Sequence, residues 1–284
     1  MDKIIRYKLY TIKRKIIKLL YEIKVFFSVS GKGKQYDFNS AKQYWQNVPK
    51  AMGSNPWNTE KLKYISDENL VVQFKEEQKI SREKFERQLG FKRAFESIQD
   101  IENPKVMDYG SGIGFYGFEI LSHCSNAQVT FVDINQSNLN IIQRIAELLK
   151  FEQQITICQV QKKKSLDLNF KNTFNLIMSM GVLHHTPFAK DIVSHLTQYL
   201  DSKGIFLVLL YNNHYRKRLS QNKGYRLNHS TFGELTDPII DEIKNPYSDW
   251  YDDDKAIDLF GHNYNLISRD YPTPDYNTYR FEKF

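Results

Sequence analysis

The stretch Val106-Met107-Asp108-Tyr109-Gly110-Ser111-Gly112-Ile113-Gly114 constrains the fold more than any other part of the chain. A short apolar run ends in a carboxylate and then in alternating glycines, which reads as a strand feeding a tight turn. Glycines at every second position let the backbone take positive φ and leave no Cβ in the way, so a ligand can lie directly on the main chain. The apolar spacing from Phe115 to Cys124 then predicts a helix, whose first N–H groups point at whatever the glycines admit.

Gln128 to Val132 predicts a second strand, ending in Asp133. That acid lies 21 residues after Gly112, the separation at which a Rossmann-type unit holds a ribose diol. Gly112-Ile113-Gly114-Phe115-Tyr116-Gly117 also satisfies G-x-G-x-x-G, so NAD fits the glycine pattern as well. Two details favour another nucleoside. Asp108 precedes the first glycine by two residues, poorly placed beside a pyrophosphate and well placed to receive an ammonium group. Phe174 to Met180 predicts a buried strand that runs into Gly181-Val182-Leu183-His184-His185-Thr186-Pro187.

Asp108-x-Gly110-x-Gly112-x-Gly114, Asp133 and Gly181 to Pro187, in this order and spacing, resemble the class I S-adenosylmethionine-dependent methyltransferases over residues 103–211. The resemblance implies S-adenosyl-L-methionine as cofactor and a small-molecule acceptor: a saccharide, a lipid-linked saccharide or another secondary metabolite. It implies that the backbone at Gly110, Ser111, Gly112 and Gly114 passes under the methionine part, with the Asp108 carboxylate near the ammonium. Asp133 would take the ribose hydroxyls, with Ile134 beside it, and Met180 and Gly181 would border the cofactor at the end of the fourth strand. Relatives carry an acid or polar residue near the adenine amino group after the third strand; here the chain reads Gln161-Lys162-Lys163-Lys164, so Gln161 is the expected partner.

His184 and His185 are the candidate bases. A histidine pKa near ~6.5 suits removal of a proton from an acceptor hydroxyl or amine. His185 is preferred, and orientation of the loop by hydrogen bonds is the alternative for both. Thr186-Pro187 fits an N-cap followed by a first-turn proline. No metal site is expected, because the acidic run Asp252-Asp253-Asp254 is explained by a helix start.

The net charge of +7 is unevenly spread. Ten Lys or Arg against Asp2 and Glu22 give residues 1–34 a charge of +8, so the other 250 residues carry −1. A near-neutral body argues against an RNA methyltransferase, and nucleic acid is not an expected partner. In residues 1–34, Ile5, Leu9, Ile12, Ile16, Leu19, Leu20, Ile23 and Phe27 recur at steps of three and four between the basic residues. This predicts an amphipathic helical arm for a membrane surface, a protein partner or the chain's own domain, without a span or a secretory signal. Cys124 and Cys158 read as reduced core residues of a cytoplasmic protein, bound peripherally to the inner face of a membrane if the arm takes it there.

Four segments follow: the arm (1–34), an N-terminal lid and helical segment (35–102), the cofactor-binding core (103–211), and an acceptor-side insertion with C-terminal strands (212–284). Residues 36–60 carry too many aromatics and breakers for a simple helix and read as a lid or as an aromatic patch closing the end of the sheet. Ser66-Asp67-Glu68 offers a helix start, and Lys79 to Ile98 predicts a further helix packing Phe85, Leu89 and Phe95 on the sheet. Strands are predicted near 105–109, 128–133, 154–160, 174–180 and 204–211, with helices near 115–124, 136–150 and 188–200. Two strands after residue 266 add an antiparallel edge. The fold class is α/β, a Rossmann-like, doubly wound and mostly parallel sheet. A non-catalytic scaffold that keeps the cofactor fold is the remaining alternative.

Overall fold

The structure is a computed structural model of the 284-residue chain. It divides into two compact units, residues 1–37 and 38–284. Residues 38–51, 62–161, 173–215 and 248–284 are described below, all of them in the second unit. The basic arm, the 162–164 lysines and most of the 212–249 insertion lie outside them.

Three helices come first: α1 (Phe38–Ala51), α2 (Asp67–Glu83) and α3 (Phe85–Glu96). The alternating body follows as β1 (Lys105–Tyr109), α4 (Phe115–His123), β2 (Gln128–Asp133), α5 (Gln136–Leu149), β3 (Ile155–Gln159), β4 (Phe174–Met180), α6 (Ala189–Leu196) and β5 (Leu200–Tyr211). Then come α7 (Asp253–Phe260), β6 (Tyr264–Thr273) and β7 (Tyr276–Lys283). The seven strands are ordered β3-β2-β1-β4-β5-β7-β6. Strands β1 to β5 pair in parallel, and β7 lies antiparallel between β5 and β6. The order reverses between β1 and β4, which opens a crevice at their carboxyl ends.

Side chains alternate across this sheet and build one core on each face. On one face Met107, Ile177, Phe206, Val208 and Tyr279 pack with Val193 and Leu196 of α6 and with Leu259 and Phe260 of α7. On the other, Val106, Phe131, Leu176, Met178 and Leu207 pack with Phe74 of α2, Phe118 of α4 and Ile142 and Ile145 of α5. Burial on both faces is why the central strands read as continuous apolar runs.

Three expectations need correction. Residues 38–51 form a helix despite Pro49. A proline has no N–H for the carbonyl four residues back, and that carbonyl, of Trp45, accepts instead from Asn135 Nδ2 at 3.2 Å. The helix expected over 79–98 is broken at Lys84, whose backbone is extended (φ −72°, ψ 121°) and which joins α2 to α3. The break turns Phe85 outward, 58 % exposed, while Phe95 packs against the core beside the buried Gly90, Phe91 and Ala94. After β4 the helix is short and ends at Leu196, because β5 begins at Leu200, four residues before its expected start.

Arg93 fastens α3 to the added hairpin. Its Nε and Nη2 donate to the two carboxylate oxygens of Asp270 on β6 at 2.7 and 2.6 Å, and its Nη1 donates to Glu96 at 2.7 Å. Among the described residues, no helix is long and apolar enough to cross a membrane.

Candidate active site

A cavity of about 230 Å³ opens at the carboxyl ends of β1, β2 and β4. The turn after β1 forms its floor. Gly110 and Ser111 donate their N–H groups to the Val132 carbonyl at 2.7 and 3.0 Å, which ties the turn to the end of β2. Gly110, Gly112 and Gly114 all have positive φ, as does Gly181 after β4. What a Cβ would meet separates their roles. At Gly112 and Gly181 it would meet nothing within 4 Å; both residues line the cavity. At Gly110 it would run into Val182, at Gly114 into Phe131 and Phe118, and at Gly117 into the Phe131 ring. Gly114 and Gly117 therefore serve the close packing of α4 on β2, and Gly114 does not line the cavity.

Asp133 is 7 % exposed and lines the cavity. Its Oδ2 accepts from Gly112 N–H at 2.8 Å, and its Oδ1 from Asn135 N–H at 2.7 Å and from Asn138 Nδ2 at 3.4 Å. Burial pushes its pKa up to about 6 against the pull of these donors. Asp108 sits differently. It is buried, does not line the cavity, and accepts from Gly117 N–H at 3.3 Å. Burial raises its pKa to about 7. In this geometry the Asp108 carboxylate braces the start of α4.

Ile134, Met180 and Gly181 line the cavity, and Gln161 lies outside its wall. The chain leaves β3 at Gln159, which sets Val160 on the cavity and Gln161 in solvent. Ser111 lies beneath the floor, with its Oγ buried and without a hydrogen-bond partner among the described residues.

The histidine pair separates as well. His184 is 1 % exposed and absent from the cavity wall. Its Nδ1 accepts from Tyr211 N–H at 3.3 Å, and its ring lies 3.8 Å from the Tyr211 ring. Burial, with His185 alongside, holds its pKa well below the ordinary histidine value. Clamped to β5 through Tyr211, the His184 ring braces the end of that strand. His185 lines the cavity, with Nδ1 at 3.1 Å from Ser248 Oγ. Trp45 of α1 meets it edge-on at 5.4 Å between ring centroids.

Phe38, Ala41 and Trp45 bring α1 onto the cavity as a cover, while Phe188 and Ile192 add an apolar wall from the start of α6. Asn138 and Ser248 had not been singled out from the sequence. Asn138 had a readable signal, a polar residue in the first turn of a helix that follows an acid. Ser248 had none, standing 63 residues from its partner. Among the described residues, no cluster of His, Cys, Asp or Glu is placed to hold a metal ion.

The family model for a methyltransferase domain matches residues 100–251, more than half of the chain. Comparison with curated protein sequences gives no match. Among solved structures, a protein of Bordetella parapertussis is similar at 15% identity, with 69% of this chain and 67% of that one covered and a TM-score of 0.52. Geranyl diphosphate C-methyltransferase from Streptomyces coelicolor is similar at 10% identity, with 64% and 70% covered and a TM-score of 0.50. At such identities the likeness is one of fold. The chain spans less than half the length of two further matches, one of them the 4+2 cyclase SpnF, at 45% and 43%. With the matched domain, the 3-2-1-4-5-7-6 sheet and the glycine turn at its switch point, the chain belongs to the class I S-adenosylmethionine-dependent methyltransferase family.

Proposed function

We propose that this protein is a methyltransferase that moves the methyl group of S-adenosyl-L-methionine to a small-molecule acceptor. The observation that carries the reading is the convergence on one cavity of Asp133 and of two positive-φ glycines, Gly112 and Gly181, with open space where a Cβ would stand. Such a floor suits a ligand lying against bare backbone.

In this reading Gly110, Ser111 and Gly112 hold the methionine part and Asp133 accepts from the ribose hydroxyls. Ile134, Val160, Met180 and Gly181 shape the nucleoside end. Asp108 and Gly114 act one step back, by holding the turn and α4 in place. The bound cofactor supplies an electrophilic methyl on a sulfonium leaving group. The chain's own work is to align, to exclude water through the α1 cover, and to take a proton where the acceptor has one to lose. His185 is the residue on the cavity wall suited to that proton. S-adenosyl-L-homocysteine is bound by the Streptomyces coelicolor geranyl diphosphate C-methyltransferase, and the same ligand is the natural probe here.

Calorimetry with S-adenosylhomocysteine tests the reading. Wild type is expected to bind in the micromolar range, roughly −8 kcal/mol, and Asp133→Ala to lose at least about tenfold, ~1.4 kcal/mol. A wild type that ignores the compound but binds NAD would sink the proposal.

A further inference from the structure

Gly90 sits midway along α3 and is buried. Glycine is the poorest helix former after proline, so the packing around it says what the missing side chain allows. A Cβ there would stand 2.9 Å from Met180 Cε, 2.8 Å from Tyr116 Oη and 3.0 Å from Tyr116 Cε1. Both neighbours belong to the site. Met180 ends β4 and lines the cavity, and Tyr116 follows Gly114 by two residues in the first turn of α4. Among the described residues α3 contributes nothing to the cavity wall, yet at Gly90 it reaches the site from behind.

Three groups meet at this point and differ in how readily they yield. α3 is fastened: beyond the bonds from Arg93 to Asp270, its Glu96 accepts from Arg280 Nη1 of β7 at 3.3 Å. Tyr116 is a rigid ring packed on Phe91, with centroids 4.6 Å apart. Met180 is an unbranched thioether with three rotatable bonds. Leu209 is buried beside it on β5, and the open side of Met180 is the cavity. A contact below 3 Å with the free end of such a chain is relieved by turning the chain, and the room for that turn lies in the cavity.

We propose that Gly90 is a positioning residue: its missing side chain leaves Met180 Cε a place against α3 and so keeps the Met180 side chain clear of the space that the cofactor takes. The proposal rests on the reading of the cavity as the S-adenosyl-L-methionine site and extends it to a helix that takes no part in the wall. A side chain at position 90 would turn Met180 from a wall into an obstruction.

Calorimetry with S-adenosylhomocysteine on the full chain reads the consequence. Gly90→Ala is expected to weaken binding at least about tenfold, the scale of an overpacked contact, without lowering the unfolding midpoint, because alanine favours the helix. In Met180→Leu protein, whose side chain stops an atom short of Cε, the same change is expected to cost less than about threefold, the non-additivity of residues in contact. An equal loss in both backgrounds overturns the proposal, and so does no loss in either. Methyl NMR adds a measurement that needs no ligand. With ε-¹³C-labelled methionine, Met180→Leu identifies the Met180 signal among five methionines. Wild type is expected to show nuclear Overhauser contacts from that methyl to the Gly90 α-protons and the Tyr116 ring; their absence overturns the proposal even if Gly90→Ala fails to fold. A wild type that ignores S-adenosylhomocysteine, yet shows these contacts and loses them in Gly90→Ala, overturns the functional reading and supports the placing of Met180 by Gly90.

Discussion

Replacing Asp108 by Asn should make the protein more stable at pH 8 and flatten its pH dependence. Asp108 is fully enclosed, and burial raises its pKa from 3.8 to about 7. A raised folded-state pKa means that the native state holds its proton more tightly than the unfolded chain. Stability from this group is therefore complete below about pH 4 and is lost as pH rises to about 7. At ~1.4 kcal/mol per pKa unit, the full loss is about 4 kcal/mol, of which about 2.5 kcal/mol falls between pH 5 and pH 8. An asparagine has no charge to bury, and its Oδ1 can still accept from Gly117 N–H, so Asp108→Asn should lack that part of the slope. Asp133, raised to about 6, leaves a smaller slope of the same sign in both proteins. The assay is urea unfolding at pH 5 and pH 8, with stability extrapolated to water. Equal pH slopes for the two proteins would refute the reasoning, as would a variant less stable than wild type at pH 8.

The glycines offer a second test. Gly117→Ala should destabilise by several kcal/mol, because its Cβ would run into the fully buried Phe131 ring. Gly112→Ala, at φ +57° with nothing near its Cβ, should cost about 1 kcal/mol in stability yet abolish S-adenosylhomocysteine binding. Thermal unfolding and calorimetry on the pair check both halves. Trp45→Ala should hasten release of S-adenosylhomocysteine about three- to tenfold, as an aromatic edge contact is worth ~0.5–1.5 kcal/mol; stopped-flow dissociation measures it.

The sheet was legible because its signals are local. Apolar runs, the glycine turn and Asp133 are each contained within a few residues, and the order of elements fixes their parallel pairing. Failures came where partners are distant. The Lys84 break carries no glycine or proline to announce it. Pro49 is tolerated in α1 because Asn135, some 90 residues on, takes the carbonyl that the proline leaves unpaired. Within the site, the residues on the cavity wall at Gly112, Asp133, Ile134, Met180, Gly181 and His185 follow from strand ends alone. Asp108, His184 and Gln161 lie off the cavity wall, since a strand end gives position along the chain and not the direction of a side chain. One residue of register sends Val160 to the cavity and Gln161 to solvent.

The bond from Asn135 to the Trp45 carbonyl pins the cover at the end of β2. Asn135 also caps α5 through Ser137 N–H and donates its own N–H to Asp133. Displacing α1 would therefore pull on the residue that holds Asp133 in place. On the proposed reading, entry and exit of a ligand would be tied to the set of Asp133, so that gate and grip would work as one latch.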